Sequence, residues 1–219
     1  AKYDEVIVGD KINLNIKLEE LDKFYVEKIN VYGNYITNEN VVRNLLVVDE
    51  GDPYNKILVN KSINNIKSRR IFKSVNKTVD AGSSNNLKII NITVDEQATG
   101  EISAGAGAGT SGQTLSFGIK ENNYLGTGVN VNTQFSFSDT GIQARITTNN
   151  PNFKNTDRSL STSVQSSKTD QMSRFGYKTS KTGFSIGTNF EQYEDIYFSP
   201  SFSNYFESLK TSATASDAK

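Results

Sequence analysis

The 219-residue sequence has no cysteine and no histidine. The first absence excludes disulfides, thiol catalysis and thiolate-bound zinc. The second removes the commonest general base and the commonest metal ligand. Net charge is absent too: 24 basic residues balance 24 acidic ones, leaving no electrostatic footprint for nucleic acid or an anionic membrane surface. No apolar run approaches the ~18 residues that a membrane helix requires. The opening AKYDEVIVGD lacks the charged-then-apolar layout of a signal peptide. It starts mid-strand, and the closing KTSATASDAK is polar, which predicts a piece cut from a longer protein. Apolar residues make up 35% of the chain and mean hydropathy is −0.51, lean for a single globular core. The length leaves room for one or two domains.

Two kinds of periodicity divide what is present. Residues 11–19 alternate, with Ile12, Leu14, Ile16 and Leu18 on one face, and read as a strand. A second strand is predicted from Tyr25 to Tyr32, with Ile29 and Val31 as core contacts and a turn at Gly33-Asn34. Thr37 is placed to cap a short helix over residues 38–46, whose Val41, Val42, Leu45 and Leu46 share a face. Asn55 is placed to cap a longer helix reaching Arg70, with Leu58, Val59, Ile63 and Ile66 inward. Strands over residues 72–79 and 87–95 follow, joined by the turn-rich stretch 80–84. The order strand, helix, helix, strand, strand is a small α+β unit of a size that can fold alone.

After Glu96 and a short linker over residues 97–100, helical periodicity stops. Strands are predicted over residues 101–109, 114–121, 129–138, 142–149, 158–165, 183–190 and 196–206. Within 129–138, Val129, Val131, Thr133, Phe135 and Phe137 oppose Asn130, Asn132, Gln134, Ser136 and Ser138. A soluble β-sandwich would show that alternation, and so would the wall of a membrane barrel. The polar faces carry Asn, Gln, Ser, Thr and Gly more than Lys and Glu, a composition suited to a wet lumen. Arg145 falls on that face as an internal charge.

The turns on the side of the α+β unit are predicted at residues 122–126, 150–157 and 191–195. Each holds or adjoins an aromatic: Tyr124, Phe153, and Phe190 with Tyr193. Such rings collect where a barrel wall meets the membrane–water boundary. The opposite connections are expected at residues 110–113 and 138–141, and as a longer one over 166–182, whose Phe175 and Tyr177 mark it as in part strand. Seven strands do not close a bacterial barrel, which needs an even number of at least eight, so the barrel reading again predicts a piece.

VEKINVYGN (26–34), IKSRRIFKSV (66–75) and LKIINITVDE (87–96) together resemble a POTRA domain. The runs ITVDEQATGEISAGAGAG, FGIKENNYLGTG and ITTNNPNF resemble the last POTRA and opening barrel strands of BamA-type outer-membrane assembly factors. The resemblance implies the tail of a preceding POTRA at 1–22, a POTRA domain at 23–96 and the N-terminal part of a barrel at 97–219. One departure is Arg70, where POTRA domains usually end the second helix on glycine. A left-handed conformation there costs about 1 kcal/mol.

By resemblance, the function is non-enzymatic and needs no cofactor or metal. It is the insertion of β-barrel proteins into the bacterial outer membrane, with the POTRA part in the periplasm. Its partners would be unfolded outer-membrane clients, assembly-complex lipoproteins and outer-membrane lipid. The physical basis is strand addition at an open sheet edge. One candidate edge is the lateral-seam strand Glu101, Ile102, Ser103, Ala104, Gly105, Ala106, Gly107, Ala108 and Gly109, whose small side chains specify register weakly. Its bland alternative is a Gly/Ala strand packed close to another backbone. The other is the POTRA edge strand Phe72, Lys73, Ser74, Val75, Asn76, Lys77, Thr78 and Val79, which from the residues alone reads first as a solvated edge blunted by its two lysines.

Asp49, Glu50 and Asp52 fit no calcium-loop spacing and read as a solvated turn. The resemblance makes Glu50 the residue that docks a partner lipoprotein. Glu19-Glu20 and Asp95-Glu96 read as ordinary surface charges. The competing readings are a POTRA-bearing transporter of the two-partner-secretion or TamA-like kind and a soluble sandwich adhesin. A hydrolase is more distant still, since no nucleophile-elbow motif supports Ser–Lys chemistry.

Overall fold

The computed structural model describes residues 2–8, 11–17, 22–109 and 112–213, and its two main parts treat their apolar side chains in opposite ways. It opens on an antiparallel hairpin, β1 (Lys2–Val8) and β2 (Lys11–Lys17), paired through Val6↔Asn13 and Ile7↔Ile12. Ile12, Leu14 and Ile16 are exposed. Leu18, Glu19 and Glu20 of the expected strand and turn lie outside the described residues.

The α+β unit follows in the predicted order: β3 (Tyr25–Tyr32), α1 (Glu39–Arg43), α2 (Lys56–Ser68), β4 (Phe72–Ala81) and β5 (Leu87–Glu96). The sheet order is β3-β5-β4, with β3 parallel and β4 antiparallel to the central β5. The core gathers Val26 and Ile29 from β3, Val59, Ile63 and Ile66 from α2, and Ile90, Ile92 and Val94 from β5. Val26 was missed in the sequence, and Val31 is only partly buried. The cause is a bulge between Val26 and Lys28, which puts residues three apart on one face.

Asn55 caps α2 as expected, its Oδ1 accepting from the N–H groups of Ile57 at 2.8 Å and Leu58 at 3.3 Å. Arg70 does adopt the left-handed conformation, with φ +57°. Thr37 does not cap α1. Asn38 occupies that position without a side-chain bond, and Thr37 is buried and engaged elsewhere. The first helix is also shorter than predicted, because Leu45 and Leu46 donate three residues back, to Val42 and Arg43, which tightens the last turn.

The remaining chain is one antiparallel meander: β6 (Gly100–Gly109), β7 (Gly112–Tyr124), β8 (Val129–Ser138), β9 (Gly141–Asn150), β10 (Ser159–Gln171), β11 (Tyr177–Tyr193), β12 (Ile196–Phe198) and β13 (Ser201–Thr211). Two expectations need correction. The long connection over 166–182 is mostly strand: β10 and β11 pair from Ser159↔Asn189 to Gln171↔Tyr177. A single-turn helix, α3 (Met172–Phe175), closes the hairpin with Gly176 at φ +69°. Serine, threonine and lysine on both faces hid these strands from an apolar count. The strand expected over 196–206 is broken at Ser199-Pro200, where proline has no N–H for a ladder.

The register assembles the apolar residues on one face. Ala106, Leu115, Phe137 and Ile142 share a rung, as do Ile102, Ile119, Thr133, Ile146, Val164 and Phe184. None of these is buried: Phe117 is 50% exposed and Val164 56%. Every core residue lies at or before Val94, and no second sheet covers this face among the described residues. A sandwich is therefore excluded.

The apolar band also drifts across the rungs. The first rung continues into Lys168, Ser180 and Ser208, whereas the rung that starts at Gly100 and Glu121 ends on Ile186 and Phe202. A flat hydrocarbon slab crossed by strands tilted ~35–45° produces that diagonal.

Candidate functional site

Function by strand addition requires an edge with free backbone groups, so the accounting starts there. β6 pairs only with β7 among the described residues, and all ten of its residues are exposed. Its alternation is real: Ile102, Ala104, Ala106 and Ala108 continue the apolar face, and Glu101, Ser103, Gly105 and Gly107 face the other way. Opposite Ser103 sits Gly118, where a Cβ would come within 2.6 Å of the serine Oγ. The Ser103 hydroxyl lies over Gly118, and at Gly107 and Gly109 a Cβ would meet nothing within 4 Å, so little side-chain area locks the strand.

In the α+β unit, β4 has no neighbour beyond β5 among the described residues. Phe72 and Val75 point into the core, while Lys73, Ser74, Asn76 and Thr78 are exposed. Lys77 does not blunt the edge. It lies back on α2, donating to Asn60 Oδ1 at 2.6 Å, and burial and then Lys56 lower its pKa.

The opposite edge, β3, is sealed. Val26 N–H donates to Asp52 O at 2.8 Å, Gly51 N–H to Val26 O at 2.7 Å and Tyr54 N–H to Phe24 O at 2.7 Å. Further along, Ile29 N–H donates to Glu50 Oε1 at 2.9 Å, and Arg43 donates to Ile29 O at 2.9 Å. Glu50 therefore caps a strand edge, with Arg43 3.7 Å from the same oxygen and its side chain 46% exposed. Asp49 and Asp52 do not converge with it on a metal position; Asp49 N–H donates to Asp52 Oδ2 at 2.8 Å.

The two sheets are joined by a polar relay that the sequence did not disclose. Glu96, expected to be an ordinary surface charge, accepts from three consecutive amides, Tyr35, Ile36 and Thr37, at 2.7 to 3.2 Å. Burial opposes its charge, but the hydrogen bonds from Thr37, Ile36 and Tyr35 outweigh that and hold the carboxyl below its usual range. Thr37 Oγ1 in turn accepts from Asn123 Nδ2 at 2.9 Å, and Asn123 Oδ1 accepts from Gly128 N–H at 2.8 Å. Asn38 N–H donates to Gly126 O at 2.8 Å, and half-buried Arg69 donates to Gly128 O at 2.7 Å. Gly126, at φ +72°, has no room for a Cβ, which would lie 2.1 Å from Ile36 O. This is the ENNYLGTG turn fastened to the helical side of the α+β unit. The 97–99 linker is fastened too: Thr99 donates to Glu121, and Asn122 donates to Thr99 O at 3.3 Å. Asn44 reaches Asn155 in the next turn at 3.1 Å, so two of the three near-side turns touch this unit.

Of the boundary aromatics, Tyr124 and Tyr193 are exposed, at 49% and 68%, and Phe153 lies beside them at 36%. Phe190 is partly covered by Phe198, ring centroids 5.7 Å apart, and by Arg158, 5.0 Å from its centroid. The contributions of Phe198 and Arg158 were not foreseen; both lie next to predicted turns.

Residues 24–97 match the POTRA family, described as a surface antigen variable number repeat. The outer membrane protein assembly factor BamA of Buchnera aphidicola subsp. Acyrthosiphon pisum is 29% identical over 145 residues, covering 65% of this chain and 23% of that protein. BamA of Neisseria meningitidis serogroup B is 26% identical over 160 residues, or 69% of this chain and 20% of the relative. The chain thus spans less than a quarter of the length of either. Among solved structures, BamA from Haemophilus ducreyi lacking POTRA domains 1-3 shares the fold over 96% of this chain and 41% of that one, with TM-score 0.76 at 20% identity. CdiB from Escherichia coli shares it more loosely, with TM-score 0.51 at 12% identity over 94% of this chain and 45% of that one. These likenesses, with the exposed apolar band, place the sheet in the outer membrane and the α+β unit on its periplasmic side. Residues 24–97 thus form a POTRA domain, and the chain as a whole is similar to a BamA-type segment, a POTRA domain running directly into the opening strands of an outer-membrane β-barrel.

Proposed function

We propose that this chain takes part in folding and inserting β-barrel proteins into the bacterial outer membrane, templating client strands at β4 in the periplasm and at β6 in the membrane. The observation that carries the reading is the asymmetry of edges. In the POTRA sheet, the 50–54 loop and Arg43 close β3, while β4 stays open. In the membrane sheet one of the two edges, β6, is a strand of small residues that a competing strand can displace at little packing cost. The same reading assigns the half-exposed Glu50 face to an accessory lipoprotein, and no bond-making chemistry to any residue.

The test is site-specific crosslinking in the full-length protein with a stalled client. Cysteines replacing Ser103 or Gly105 on β6 should capture the client's terminal strand, and one replacing Ser136 on the inner face of β8 should not. The CdiB likeness supplies a second reading, passage of a polypeptide through the lumen, and reverses the pattern: Ser136→Cys crosslinks and the β6 positions stay silent. Capture at neither place excludes both.

A further inference from the structure

We propose that the near-side border of the barrel carries a binding site for a zwitterionic phospholipid headgroup, built from Arg158 stacked on Phe190 and from Lys154 on Phe153. The site rests on the membrane reading above and adds the chemical class of the lipid. Phe190 stands on the apolar face of β11, four residues beyond Ile186, and pairs with Phe198. Its ring therefore sits near the end of the apolar face on the side of the α+β unit, with exposed Tyr193 and Ile196 paired just beyond it.

Arg158 lies over that ring at 5.0 Å, and Lys154 over Phe153 at 5.5 Å. Neither cation has a carboxylate within 4.0 Å among the described residues, although Asp157 and Glu191 line the same groove of about 640 Å³. A guanidinium lying over a ring still has N–H groups for a ligand, and their fork matches two phosphate oxygens. The turn holds the pair rigidly: Phe153 N–H donates to Arg158 O at 2.8 Å, and Lys154 and Asn155 both take positive φ.

The acids select among phosphates. Two cations beside two carboxylates favour a headgroup that is itself phosphate plus ammonium over one with net negative charge. Glu191 has one oxygen engaged by Asp195 N–H at 2.8 Å, which restrains a carboxylate that lines the groove. The occupant is thus a glycerophospholipid carrying an amine, its acyl chains on the apolar band and its phosphate on Arg158.

The experiment compares lipids retained by the full-length protein, purified in detergent and examined by native mass spectrometry. The probes are phosphatidylethanolamine, phosphatidylglycerol and diacylglycerol of matched chains. Phosphatidylethanolamine should be retained best and diacylglycerol least. Arg158→Gln should reduce phosphatidylethanolamine retention about tenfold, the loss of one charge-assisted bidentate contact, with Arg158→Lys intermediate. Heat-modifiable gel mobility reports whether each variant is folded; should Arg158→Gln not fold, the order of the three lipids on the unaltered protein decides. Equal retention of diacylglycerol and phosphatidylethanolamine, or no effect of a folded Arg158→Gln, overturns the headgroup site while leaving the membrane wall intact. Retention of no lipid at all overturns both.

Discussion

Removing the Glu96 carboxylate should uncouple the POTRA domain from the first barrel turn. Three consecutive amides donate to this one group, and charge-assisted bonds are each worth about 1.5–3 kcal/mol when lost. Two of the three donors are exposed, where solvent cuts the value to about 0.5–1 kcal/mol each, and part-buried Thr37 keeps about 1–2 kcal/mol. Glu96→Ala should then cost about 2–4 kcal/mol of local stability, and Glu96→Gln, which keeps one neutral acceptor, about 1–2 kcal/mol.

Amide hydrogen exchange of the full-length protein reads this directly, since each 1.4 kcal/mol is about tenfold in an opening equilibrium. Tyr35, Ile36 and Thr37 should exchange faster by about 30-fold or more in Glu96→Ala. Because Thr37 Oγ1 holds Asn123, the amides of Asn38 and Gly128 should follow. The pH dependence has a fixed sign. A carboxyl held below its ordinary range contributes stability that is full above its unfolded value, about 4.3, and is lost as pH falls through the folded value. Protection at these amides should hold from neutral pH to about pH 5 and decline below about pH 4. Unchanged protection at Tyr35 to Thr37 in Glu96→Ala refutes the carboxylate's role, and loss confined to those three amides refutes the relay.

Two further predictions follow from the backbone and the two faces. Arg70→Gly should raise the stability of the POTRA domain by about 0.5–1 kcal/mol, read as a shifted denaturant midpoint, because the left-handed φ of +57° suits glycine and the Arg70 carbonyl bonded by Gln97 is retained. Phe135→Arg and the adjacent Ser136→Arg should separate the faces: the first should cost about 2–4 kcal/mol in folding into bilayers and the second little. Equal costs would remove the lipid-facing assignment of Phe135.

Much of this was legible because short-range physics wrote it. Asn55 ahead of a periodic apolar stripe defines the second helix, and the alternation from Val129 to Ser138 orients a whole strand. What stayed hidden depends on contacts distant in sequence or on local irregularity. Glu96 looks like surface charge until residues 35–37, some sixty positions earlier, fold against it. Val26 belongs to the core only through a bulge, which no strict period of two can register. The upper halves of β10 and β11 carry polar residues on both faces, so only pairing, and not hydropathy, reveals them. Pro200 was in plain view, and its missing donor is enough to split the last strand into two.

Only residues 97–99 lie between the end of β5 and the start of β6, a reach of about 10 Å at full extension. With Thr99 tied to Glu121 and Asn122, that span holds no slack. A tug on the periplasmic domain is therefore not absorbed on the way: it arrives as shear at the rung joining Gly100 to Glu121, the corner from which the outermost strand would peel. Any load on the POTRA sheet is in this way geared mechanically to the first rung of the wall.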